Sequence, residues 1–107
     1  MGFVYEVNLK IEIQKQDEFA QWLKPHIEEM LSFDGFVKAN WYRRDIRDEG
    51  NTEEVVLWTI HYFLESYADY ENYTKTHADR MRADGVQHFS GSFSASRRLL
   101  HLNQVFG

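Results

Sequence analysis

The sequence contains no cysteine, a single proline and only six glycines among 107 residues. Without cysteine there is neither a disulfide framework nor a thiolate metal site. No apolar run approaches the ~20 residues that a membrane-crossing helix needs. The opening Met1-Gly2-Phe3-Val4-Tyr5-Glu6 meets an acid before any long apolar stretch, unlike a signal peptide. A soluble cytoplasmic protein with no membrane partner is therefore expected. Positive charge is scarce as well. Twelve Lys and Arg face seventeen Asp and Glu, for a net charge of −5, and the basic clusters are Arg43-Arg44 and Arg97-Arg98. Phosphate binding starts from a positive surface, so no nucleic-acid partner is expected. Nucleophile elbow, phosphate loop and dinucleotide fingerprint are all missing. So is an H-x-x-x-H pair, and metal ligation needs three or four converging groups. Neither a metal nor a cofactor is expected.

What is present is aromatic. Phe, Tyr and Trp make up 16% of the chain and hydrophobic residues 43%, too rich a composition for disorder. One domain, residues 1–107, is the natural reading of this length. Its most informative stretch is Val55 to Leu64, which is β-branched and aromatic with no charge, Gly or Pro. Side chains alternate across a strand, so Val56, Trp58, Ile60, Tyr62 and Leu64 share one face, and Val55, Leu57, Thr59, His61 and Phe63 the other. Both faces are largely apolar, which predicts a central strand covered on both sides. The chain's own helices supply one cover, and a second subunit is the expected source of the other.

Around that strand the periodicities alternate. Phe3 to Ile13 has period two, with Tyr5, Val7 and Leu9 on one face and Glu6, Asn8 and Lys10 on the other. Asp17 is placed to cap a helix over 17–32, whose apolar stripe includes Phe19, Trp22, Leu23, His26, Ile27 and Met30. Pro25 lies inside it and predicts a kink or two abutting pieces. Gly35 sits where a terminator belongs. A second strand over 36–44 puts Val37, Ala39, Trp41 and Arg43 on one face and Phe36, Lys38, Asn40 and Tyr42 on the other. Residues 45–54 read as an exposed hairpin loop. A helix over 66–84 starts at Ser66 with Asp69 three residues on, and Gly85 is expected to end or break it before a last turn at Val86–Phe89. A final strand covers 92–102. The order β-α-β-β-α-β is the α+β arrangement called ferredoxin-like, with two helices on one face of a four-stranded antiparallel sheet. A large apolar face left open usually marks an interface, so two sheets closing on each other as a homodimeric α+β barrel are expected.

Trp22-Leu23-Lys24-Pro25-His26-Ile27, Tyr70-Glu71-Asn72-Tyr73-Thr74-Lys75-Thr76-His77 and Phe93-Ser94-Ala95-Ser96-Arg97-Arg98-Leu99-Leu100 resemble a small bacterial family of unknown function. That family falls in the dimeric α+β barrel superfamily, and the likeness runs over nearly the whole chain. The resemblance implies the fold and the dimer. It does not select among cofactor-independent monooxygenases, haem-degrading monooxygenases, muconolactone isomerases and proteins without catalysis. The haem-degrading members use an Asn on the first strand with a Trp and a His on the second helical segment. Asn8 and His77 match two of these, but residues 66–90 contain no Trp.

Two sets of side chains could carry chemistry. His61 on the central strand and His77 on the second helix are candidate proton acceptors, and His26 shares the inner-stripe placement of His77. The bland reading of such residues is a hydrogen-bonded core histidine. The second set is a polar ring expected on the open sheet face: Asn8, Asn40, Tyr42, Thr59, His61, Ser94, Ser96 and Arg98. Within it Asn8, Asn40, Tyr42 and Arg98 are the candidate ligand-binding residues. Such a ring inside apolar walls suits a small, aromatic organic molecule bound in the barrel interior. The competing reading is a non-catalytic homodimer in which these groups satisfy one another across the interface.

Overall fold

In the computed structural model, residues 2–47 and 54–107 are described. Strand β1 (Phe3–Glu12) leads through a single 3-10 turn (Ile13–Lys15) into helix α1 (Gln16–Met30). Strands β2 (Phe36–Arg43) and β3 (Val55–Leu64) follow, then helices α2 (Tyr67–Thr76) and α3 (Ala78–Phe89), and strand β4 (Phe93–His101). The sheet is antiparallel with order β2-β3-β1-β4. The chain is thus the expected ferredoxin-like α+β fold, with β1 and β3 central. Most of the predicted loop between β2 and β3 lies outside the described residues.

The helices cover one sheet face. From β1 it presents Phe3, Tyr5, Leu9 and Ile11, and from β3 Val56, Trp58, Ile60, Tyr62 and Leu64, all buried together with Phe19, Leu23 and Met30 of α1. Burying one such side chain is worth about 1.5–3 kcal/mol, so this layer supplies most of the driving force. Tyr73 of α2 and Met81 and Phe89 of α3 close it.

Several local expectations change. Phe36 belongs to the helix-side core, because a bulge between Phe36 and Lys38 shifts the register of β2 against β3. Beyond that extra residue Ala39, Trp41 and Arg43 also face the helices, while Lys38, Asn40 and Tyr42 stay on the open face. Helix α1 runs through Pro25 as one piece and has Lys15, without a side-chain hydrogen bond, at its N-cap; Asp17 lies within the first turn. The second helical segment is broken at His77, whose backbone (φ −127°, ψ −27°) ends α2 and starts α3. Gly85 does not stop α3. It is buried inside that helix, where a Cβ would lie 3.1 Å from the Trp22 ring, so its smallness serves packing. Ser66 caps α2 as expected, accepting from the Asp69 backbone N–H at 3.2 Å.

Candidate functional site

On the open sheet face the antiparallel register sets Glu6 opposite His61 on one side and Arg98 on the other, and Asn8 opposite Thr59 and Ser96. Their side chains form one network. Arg98 Nε donates to Glu6 Oε1 at 2.6 Å, and Asn8 Nδ2 donates to the same oxygen at 2.8 Å. His61 Nε2 lies 2.8 Å from Glu6 Oε2. An ionised carboxylate only accepts, so Nε2 carries the hydrogen. Thr59 donates to Asn8 Oδ1 at 2.6 Å, and Arg44 Nη1 reaches across to Thr59 Oγ1 at 3.0 Å and the Trp58 carbonyl at 2.7 Å. Asn40 donates to the Tyr42 hydroxyl at 2.9 Å, and the Tyr42 ring stands edge-on to His61 at 5.3 Å.

Glu6 is 5% exposed. Desolvation raises its pKa, but the hydrogen bonds from Asn8, Arg98 and His61 outweigh that and hold it down at about 2. A carboxylate so stabilised is a poor proton acceptor near neutral pH. Its role here is to organise the face. The network also accounts for the buried Thr59, whose hydroxyl is held between Asn8 and Arg44. A shallow, open concavity of about 370 Å³ beside the network is lined by Asn8, Arg44, Ser96, Arg97 and Arg98.

Five of the six candidates from the sequence therefore gather on one surface: Asn8, Asn40, Tyr42, His61 and Arg98. His77 does not join them. Its ring stacks on Phe33 at 4.0 Å and 5° in the helical layer. Arg97, next to Arg98 in sequence, points to the opposite sheet face, as alternation requires.

A second site lies between helices and sheet. Tyr5, Val7, Ile60 and Tyr62 form its floor, and Trp22, Leu23, His26, Tyr73, Met81 and Arg82 are among its walls. The cavity has a volume of about 40 Å³, room for a few waters. Trp22 closes one side. Its indole N–H donates to Asp84 at 3.0 Å and its ring stacks on His26 at 4.5 Å. Burial pushes the His26 pKa down, against the pull of Asp84 and Glu29, which favours a neutral imidazole able to accept a proton. Burial also pushes the phenols of Tyr62 and Tyr73 up, so both stay protonated and able to donate. Sequence reading placed these aromatics in the core, correctly, without finding the space between them. Among the described residues no group of three or more His, Asp or Glu is arranged to hold a metal.

Residues 2–103 match the family model described as Domain of unknown function (DUF4286). The chain belongs to the DUF4286 family. A comparison with curated proteins matches none of them to this chain. Solved structures with the same fold include three informative neighbours of this DUF4286 chain. One is a mutant form of SnoaB, a cofactor-independent oxygenase from Streptomyces nogalater. It is 13% identical with a TM-score of 0.69, over 96% of this chain and 95% of that one. The second is a monooxygenase from the ActVA-Orf6 gene of Streptomyces coelicolor in complex with the ligand nanaomycin D, 14% identical with a TM-score of 0.63, over 98% and 90%. The third is a dimeric ferredoxin-like protein from an uncultured marine organism, 17% identical with a TM-score of 0.64, over 97% and 100%. At these identities the likeness establishes the fold.

Proposed function

We propose that this DUF4286 protein is a homodimeric small-molecule binder whose ligand, a small aromatic molecule, sits in the cleft between helices and sheet. The observation that carries this reading is the cleft itself: a cavity walled by aromatic and aliphatic side chains, into which a few polar groups converge. Two neighbours of the same fold described as an oxygenase and a monooxygenase, one of them with an organic ligand bound, support small-molecule binding as the general class. His26, neutral and at the cleft wall, is the residue best placed to accept a proton from a bound molecule.

In this reading the open sheet face serves assembly. Its polar ring closes on Glu6, which uses three donors and leaves little for a ligand. A neighbour described as dimeric supports pairing. One observation favours a second location for the ligand. The concavity beside Asn8 and Arg98 would become enclosed when two sheets close on each other. A thermal-shift screen of one-ring and two-ring aromatics separates the two. A ligand at ten times its Kd raises stability by about 1.4 kcal/mol, and Val7→Phe, which fills the cleft, should abolish that rise. A rise that survives Val7→Phe assigns the ligand to the open face. No rise with any aromatic rejects binding in the cleft.

A further inference from the structure

Arg82 of α3 is the unusual member of the cleft. Its Nη2 donates to the Tyr5 hydroxyl at 3.1 Å, whereas its Nε is buried with no hydrogen-bond partner among the described residues. A buried donor left unmade is destabilising, and a guanidinium presents its Nε and Nη as a planar fork suited to two oxygens at once. The second cation at the cleft is Arg97 of β4, and among the described residues no Asp or Glu lines the cavity. Arg97 is exposed to solvent, so the unmet need is that of the Arg82 Nε, a buried donor that an anionic oxygen would satisfy. The remaining wall is aromatic and aliphatic, with the phenols of Tyr5 and Tyr73 near Arg82.

We infer that the cleft recognises a small aromatic carboxylate, its carboxylate held by the Arg82 fork and the Tyr5 hydroxyl, with its ring against Tyr62, Ile60 and Trp22. This rests on the cleft being the binding site and adds the charge of the ligand. A neutral amide of the same shape offers the fork one acceptor oxygen and no charge, its NH2 opposing the second donor, so discrimination follows from charge and geometry together. The cavity as it stands holds only a few waters, so even a single ring enters only as Trp22 swings off His26.

Benzoate and its neutral isostere benzamide test the inference by calorimetric titration of the wild type, Arg82→Gln and Arg82→Lys, with folding of each variant checked by circular dichroism. Benzoate should bind wild type at least about tenfold more tightly than benzamide, a preference worth one to two hydrogen bonds to a charged group. Arg82→Gln should erase that preference, and Arg82→Lys, which keeps charge but loses the fork, should retain only part of it. Equal binding of the two probes to wild type overturns the carboxylate assignment and leaves the binding cleft standing. Absence of binding by either probe overturns both. Should Arg82→Gln not fold, the wild-type ratio and Arg82→Lys still decide the matter.

Discussion

At Glu6, burial works against the charged carboxylate, yet three donors hold its pKa near 2 instead of the ordinary 4.5. Because the folded value lies below the unfolded one, the stabilisation is fully present above about pH 4.5 and is lost as pH falls towards 2. Glu6→Gln should therefore cost on the order of 2–3 kcal/mol at neutral pH. It should also flatten the decline in melting temperature between about pH 5 and pH 2.5, measured by calorimetry. A variant with the wild-type acid profile would show that the carboxylate does not organise this face. His61 is the complementary residue. Its Nε2 serves Glu6, and it lies on the opposite sheet face from the cleft. His61→Gln should change stability by no more than about 2 kcal/mol and leave affinity for a cleft ligand unaltered by calorimetric titration. A tenfold loss of affinity would return His61 to the candidate site.

Elements were legible in this sequence to the extent that their periodicity was local. The alternation of β1, β3 and β4 put Asn8, His61 and Arg98 on the expected open face, since one period fixes every side chain in a regular strand. It put Glu6 on that face too, but nothing local revealed that Glu6 lies directly between His61 and Arg98, because that depends on register across three strands. Phe36 was misplaced for the same kind of reason: a bulge against β3 turns it to the core. The break at His77 has no Gly or Pro to announce it, whereas Gly85 looks like a terminator and is a packing residue beneath Trp22. The cleft was invisible, since gaps between core aromatics follow from the packing of α1 and α3 over the sheet. Gly35 is the glycine that an element junction requires. It has φ +82°, and an added Cβ would sit 2.1 Å from the Asp69 side chain at the start of α2. Gly35→Ala should lose roughly 2 kcal/mol or more by urea denaturation. Loss below ~0.5 kcal/mol would mean the α1–β2 turn has an alternative conformation.

At the scale of the molecule the two sheet faces divide the work. The helix-covered face supplies the core and the cleft, and the other presents a polar network with half-buried Val4, Phe63 and Leu100 around it. Among the described residues no helix is long and apolar enough to cross a membrane. If the second face is an assembly surface, light scattering at micromolar concentration should give about twice the 12.8 kDa chain mass. A monomer that stays folded on dilution would leave that face without its partner. In this reading ligand binding and assembly occupy opposite sides of the sheet, and that division is the claim on which the rest depends. Its most direct test is a two-dimensional NMR titration of the labelled protein with benzoate. Shifts should concentrate at Tyr5, Trp22, His26, Tyr73 and Arg82, with Asn8, His61 and Arg98 unmoved. Shifts centred on Asn8, His61 and Arg98 would contradict it and place the ligand inside the barrel.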